Sequence, residues 1–369
     1  MPDESRFLQD LRREPGELRA ILARLLGPQR ESLDEAVKLL RAAPMAWIAG
    51  MGSSFHGGHA VQAFFDAAGR PARNADAGEL LHFVELPKES TLLLLSRSGR
   101  SVEVVELLKK ARPGGATVIG VTNDAESPLA KESRVVLLLG APFDFNVSVT
   151  MYSGVALAGA LAAAMAVGAW RDELAAALDG ALADAERRLA GWSAAIAASA
   201  ANAANAANDW SARDATTILL ARGAGLAAAL ETRQLFEEAT KYPATALSTG
   251  AFRHGPNEVV RPGCRVILWL PEQPRLRALD LALAADLRKA GAKVALVGAE
   301  LPHGSADLLL ELPPASIVPP GWQFLVELMP ARLLVEATAR ARGVDCDRFD
   351  FCPFVVAREE GLGDGHGGG

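Results

Sequence analysis

Apolar positions in the first 43 residues recur at helical spacing: Leu8, Leu11, Leu18, Ile21 and Leu25, then, after Gly27-Pro28, Leu33, Val37 and Leu40. With charged residues between them, they predict two amphipathic helices and an N-terminal helical cap over 1–43. The pattern then changes. Short apolar runs at 46–50, 71–74, 92–95, 116–121 and 134–139 are separated by helical stretches of about ten residues. Buried strands alternating with helices require crossover connections, which predicts a parallel, doubly wound α/β sheet over 44–170. Residues 149–170 carry no charge but are rich in Ala and Gly and open with Thr150, Tyr152 and Ser153. They read as a buried helix closing this unit rather than a membrane span.

Residues 171–209 are Ala-rich and read as a solvated helical connector without chemistry. The strand and helix alternation then returns at 216–220, 226–241, 243–248, 265–271, 275–290, 293–297 and 307–312, ending in a long helix over 322–342. A second copy of one α/β unit over 210–355 makes a pseudo-symmetric pair of domains rather than a solenoid. The Gly-rich end, 356–369, reads as a frayed tail.

Two loops stand out. Ser96-Arg97-Ser98-Gly99-Arg100-Ser101 follows an apolar strand and leads into the helical Val102 to Lys110, and Met51-Gly52-Ser53-Ser54-Phe55-His56 repeats the device after Gly50. Strand, glycine, hydroxyls and helix start together expose backbone N–H groups and O–H donors at the positive end of a helix, an arrangement that suits a phosphate. Ser101 could simply cap its helix. Capping needs one hydroxyl, however, and this loop offers three. If the two strands are neighbours, both loops meet one ligand beyond the carboxyl ends of the sheet.

Composition narrows the setting. A formal net charge of -6 supplies no general attraction for nucleic acid or an anionic membrane, so an anionic ligand needs a local site. Cys264, Cys346 and Cys352 form no metal pattern, His56, His59 and His82 have no convincing ligand spacing, and no cofactor is implied. The charged start lacks an apolar signal core, and a reducing cytoplasm is the expected compartment.

The loops Gly52-Ser53-Ser54-Phe55-His56 and Ser96 to Ser101, with Ala77-Gly78-Glu79-Leu80, Ala229-Leu230-Glu231 and Phe252-Arg253-His254-Gly255-Pro256, occur in an order that resembles the double sugar isomerase (SIS) domain family. The likeness is to the isomerase half of glucosamine-fructose-6-phosphate aminotransferase, over roughly residues 35–355. The resemblance implies two parallel five-stranded sheets flanked by helices. It also implies a phosphosugar held by Ser53, Ser54, Ser96, Ser98 and Ser101, with Val147 as a backbone contact near the sugar. Arg97 and Arg100 stand where Gln and Glu are common in the family, and either could add a phosphate contact. Glu238 matches the catalytic carboxylate and His254 the ring-opening histidine, which in relatives reaches the sugar from a neighbouring subunit, implying a homodimer. Glu231 joins the binding set, although Glu79 and Glu231 suit fixing loops by accepting N–H bonds better than proton transfer.

Departures limit the chemistry. No Cys lies near the start to serve a glutaminase domain, Phe354 stands where the family synthase carries an imine-forming lysine, and Leu235 replaces a second lysine. Glutamine-dependent synthesis is therefore not expected. The expected activity is aldose–ketose isomerisation or amino-sugar-phosphate deamination of a hexose or hexosamine 6-phosphate. The alternatives are a fructosamine-6-phosphate deglycase and a non-catalytic phosphosugar sensor. The first 40 residues are too short and insufficiently basic for a DNA-binding domain, which lowers the sensor reading.

Overall fold

The structure, a computed structural model, describes residues 4–201, 215–352 and 354–361. It divides into two compact units, one of Gly16–Ala176 with Phe349–Gly369 and one of Met1–Pro15 with Ala177–Arg348. Helices α1 (Arg6–Leu26) and α2 (Arg30–Ala42) occur as the spacing predicts. They lead into β1 (Ala46–Gly50), α3 (Ser53–Ala67), β2 (Ala72–Asp76), α4 (Ala77–Phe83), β3 (Thr91–Leu95), α5 (Val102–Ala111), β4 (Thr117–Thr122), α6 (Pro128–Glu132), β5 (Val135–Leu138) and α7 (Thr150–Ala166). The strands form a five-stranded sheet in the order β2-β1-β3-β4-β5, with every neighbouring pair parallel. All residues of β1 and β3 are buried, as expected of strands covered on both faces, which explains why these segments read as continuous apolar runs.

Helix α7 is buried along nearly its whole length, and its small residues are the reason. A Cβ added at Gly159 would lie 2.8 Å from Val61 of α3, so larger side chains would force the two helices apart. The charge-free stretch is thus an interior helix. No described helix is long and apolar enough to cross a membrane.

The other sheet comes from α8 (Glu173–Ala201), β6 (Thr217–Ala221), α9 (Leu226–Thr240), β7 (Ala244–Ser248), α10 (Thr249–Phe252), β8 (Arg265–Trp269), α11 (Pro274–Lys289), β9 (Lys293–Gly298), β10 (Leu308–Glu311) and α12 (Met329–Ala341). Its order, β10-β9-β8-β6-β7, repeats the first sheet strand for strand, again with all pairs parallel.

Two expectations change. Helix α8 is not a solvated connector, because Leu178, Ala181, Leu182, Ala185, Trp192 and Ile196 are buried at helical spacing. The Trp192 indole also donates to the Glu311 carbonyl at 2.9 Å. Its high Ala content hid an apolar stripe. Residues 202–209 of the expected connector and 362–369 of the expected tail lie outside the described residues. The last helix begins at Met329 rather than near 322, after a 3-10 turn at Gln323–Leu325. Pro330 explains the shift: without an N–H it is tolerated in the first turn of a helix and not in its interior.

Just before α12, Glu327 is 7% exposed, and its Oε1 has no hydrogen-bond partner. Burial, with a smaller contribution from Glu272, pushes its carboxyl from the ordinary 4.5 up to about 7. The folded protein therefore holds a proton that the unfolded chain releases near pH 4.5. This contribution to stability is full below that pH, declines as pH rises and is gone above about 7. The expected loss is on the order of 3 kcal/mol. Denaturant unfolding at pH 5 and pH 8 should show Glu327→Gln gaining stability over wild type at the higher pH, and equal pH slopes in the two proteins would contradict this.

Candidate functional site

The first sheet's topology brings the two hydroxyl loops together. Strands β1 and β3 are direct neighbours, and Gly50 pairs with Leu95, so the chain leaves both strands at the same level. This is also where the strand order reverses direction, the place at which open parallel sheets bind ligands. Gly50 is required there, because a Cβ would fall 2.8 Å from the Leu95 carbonyl oxygen. Gly52 follows with φ 50° and ψ −123°, a combination that side-chain-bearing residues avoid, and turns the chain straight into α3. Ser53 and Ser54 are the first two residues of that helix and are half-buried.

The second loop is braced from behind. Ser96 continues the ladder by donating its N–H to Val121, and its Oγ accepts the Gly99 N–H at 3.0 Å. The Ser98 Oγ accepts the Arg100 N–H at 3.3 Å. An accepting hydroxyl keeps its own O–H to donate, so neither bond consumes the donor a phosphate needs. Ser101 occupies the N-cap of α5, yet its side chain makes no capping bond, so the plain capping reading fails. Thr122 and Asn123 donate to the Arg97 carbonyl at 3.2 and 2.9 Å. A Cβ on Gly99 would lie 2.3 Å from the Ser127 Oγ, and its φ is 63°.

The arginines of this loop face other tasks. Arg97 donates to the carbonyls of Phe354 and Asn146 at 3.0 and 3.4 Å, and its guanidinium lies 4.4 Å from the centre of the Phe354 ring. Phe143 meets the same ring edge-on at 5.5 Å. The position that the resemblance assigns to an imine-forming lysine thus holds an aromatic ring clamped between Arg97 and Phe143. Arg100 pairs with Asp124 at 2.7 Å. The same tail segment supplies the Val356 carbonyl, which accepts the Val102 N–H at the start of α5.

Val147 is buried at 1% exposure in the loop before α7. That loop is set by Asp144, a residue whose role the sequence motifs left unassigned. Its buried carboxylate accepts three N–H groups, from Val149 and Met151 at 2.8 Å and Thr150 at 3.1 Å, and so serves as the anion at the start of α7. The signal was a lone acidic residue six positions before a charge-free helix, too common to single out. Likewise, Asp76 accepts from Gly78 and Glu79 at the start of α4. The loop-fixing carboxylate there is Asp76 rather than the exposed Glu79.

The remaining candidates belong to the other unit. Glu231 is fully buried in α9. Glu238 is half-buried in the last turn of α9, where its Oε1 accepts from the Gln234 amide at 2.6 Å. Leu235 is also fully buried, so the position of the second family lysine is apolar. His254 follows α10, and residues 253–259 are exposed throughout. Its own N–H donates to the Ala251 carbonyl at 3.0 Å, while Ser248 caps the short helix through Ala251. Among the described residues no group of His, Cys, Asp and Glu could hold a metal ion.

Comparison with known proteins agrees with this fold. Residues 39–168 match the SIS domain. The chain is 29% identical over 360 residues to glutamine–fructose-6-phosphate aminotransferase (isomerizing) of Aeropyrum pernix, covering 88% of this chain and 54% of that protein. It therefore spans about half the length of the curated relatives it matches. Among solved structures, the C-terminal domain of the Francisella tularensis glucosamine-fructose-6-phosphate aminotransferase superposes with a TM-score of 0.78 at 18% identity, covering 93% of this chain and 98% of that one. The Escherichia coli tagatose-6-phosphate ketose/aldose isomerase gives 0.77 at 19%, covering 93% and 95%. The Thermotoga maritima glucosamine-6-phosphate deaminase gives 0.74 at 20%, covering 93% and 97%. The chain has the SIS-type α/β fold.

Replacing Asp144 by Asn removes the charge from three buried hydrogen bonds and should cost about 2 kcal/mol of stability in denaturant unfolding. Gly99→Ala combines a positive φ with a clash against Ser127 and should cost a similar amount, roughly 2 kcal/mol. A loss below measurement error in either variant would remove the corresponding loop constraint.

Proposed function

We propose that this chain binds a hexose or hexosamine 6-phosphate and moves a proton between its first two carbons, as an aldose–ketose isomerase or an amino-sugar-phosphate deaminase. The observation that carries the reading is the pairing of β1 with β3 at the switch point of the first sheet, so that the loops bearing Ser53, Ser54, Ser96, Ser98 and Ser101 leave neighbouring strand ends and each leads into a helix start. A phosphate there anchors the sugar. His254 opens the ring by taking the proton of the anomeric hydroxyl and returning one to the ring oxygen. Glu238 then removes the proton from the carbon next to the carbonyl and delivers it to the neighbouring carbon. With a hydroxyl on the second carbon the product is the ketose. With an amine there, the same transfer leaves an imine that water hydrolyses to the ketose and ammonia.

The exposure of residues 253–259 is compatible with His254 serving a site in a second copy, so the reading includes a homodimer, and the expected compartment is the cytoplasm. Names of relatives support both activities, since they include a ketose/aldose isomerase and a deaminase. Phe354 and Leu235 replace both lysines of the family synthase, which argues against amine transfer from glutamine. A deglycase would use the same residues on a fructosamine 6-phosphate.

Proton NMR in deuterated water tests this with fructose 6-phosphate, glucosamine 6-phosphate and a fructosamine 6-phosphate. At least one should exchange the hydrogen beside its carbonyl or release its amine. Glu238→Gln should lower turnover by roughly a hundredfold or more while sparing binding. Ser98→Ala should weaken binding about tenfold, the worth of one hydrogen bond to a charged group. Binding of all three sugars without exchange or reaction would make the protein a sensor. Unchanged affinity in Ser98→Ala would remove the phosphate cradle.

A further inference from the structure

The second sheet has its own switch point, between β6 and β8, and the loops there carry different chemistry. No serine or threonine follows β6; the chain runs Arg222-Gly223-Ala224-Gly225 into α9. Arg222 forms an ion pair with the fully buried Asp280 of α11, with Nε 2.9 and 3.0 Å from the two carboxylate oxygens, while its Nη2 makes no hydrogen bond among the described residues. The Glu327 carboxyl lies close to the start of α9. A Cβ built on Gly225 would be 3.8 Å from the Glu327 Oε2, 3.8 Å from the Trp269 Cβ at the end of β8 and 3.5 Å from the Ala221 Cβ at the end of β6. The Trp269 indole donates to the Glu327 backbone carbonyl at 3.1 Å, which fixes the chain that presents this carboxyl. Nothing donates to the buried Oε1. Glu272, in the loop after β8, is the second carboxylate acting on it and is bonded to the Gln323 amide at 2.6 Å.

A buried carboxyl without a donor is costly, and a bound ion is one of the few things that account for such a group in a native structure. The charge of Arg222 is balanced by Asp280, whereas Glu327 and Glu272 have no cation partner among the described residues. The unpartnered Glu327 Oε1 calls for a donor. Two carboxylates that repel one another call for positive charge. We propose that the β6/β8 switch point of the second sheet is a binding site for a small primary ammonium group, held by Glu327 with Glu272. Glu327 is ionised above about pH 7, the form that pairs with such a cation. This site is separate from the hydroxyl cradle of the first sheet and does not depend on the phosphosugar reading.

The test follows the side-chain carboxyl carbons of 13C-labelled glutamate during titration with methylammonium chloride, and with sodium chloride to the same ionic strength. The resonance absent from Glu327→Gln identifies the group. In wild type it should move saturably with methylammonium and not with sodium. Glu272→Gln, at an exposed position that leaves folding intact, should weaken this response roughly tenfold. Ser98→Ala should leave it unchanged, which separates failure here from failure of the first-sheet cradle. A Glu327 resonance that does not move, moves equally with sodium, or responds with full affinity in Glu272→Gln would overturn the proposal.

Discussion

The parallel pairing of β1 with β3 is the constraint on which the candidate site rests. These strands are separated in sequence by β2 and its connections, yet they lie side by side, and Gly50 opposite Leu95 brings their ends to one level. The turns that follow start from adjacent points and each leads at once into a helix. Two helix starts and the serines of both loops thus lie just beyond the ends of neighbouring strands. Substituting Gly50 would push the Leu95 carbonyl away and separate the turns, so a glycine inside a strand does what no loop residue could.

The proposed cradle draws on neutral donors. Its arginines are committed, Arg97 to two carbonyls and an aromatic ring, Arg100 to Asp124. In a chain of net charge -6, an anion would be held by hydroxyls, backbone N–H groups and helix ends. Behind the loop, Thr122, Asn123 and Leu129 hold its backbone, and on the next loop Asp144 fixes the segment carrying Val147. Preorganisation of this kind reduces the ordering cost of binding, because the donors are in position before the ligand arrives.

The two sheets show how little a shared topology dictates chemistry. Their strand orders correspond one to one, and both reverse between the first and third strands. One switch point bears serines; the other bears an arginine in an ion pair and a carboxyl oxygen without a donor among the described residues. The fold supplies the location, and the turn residues decide what is recognised there.

Much of the architecture was legible in the chain itself. Continuous apolar runs at 46–50 and 92–95 reported strands covered on both faces, the repeat announced a second copy, and the order of motifs pointed to the family fold. Local patterns succeed here because burial and turn geometry act over a few residues. Other features needed the tertiary structure. The buried stripe of α8 was masked by alanine, which suits both interior and surface. Arg97 met Phe354, 257 positions away, and the anion at the α7 start proved to be Asp144. Whether a serine caps a helix or keeps its hydroxyl for a ligand, and whether a glutamate is solvated or buried without a donor, depends on neighbours supplied by distant segments. Residue order states which groups are present; only folding decides which of them are already satisfied.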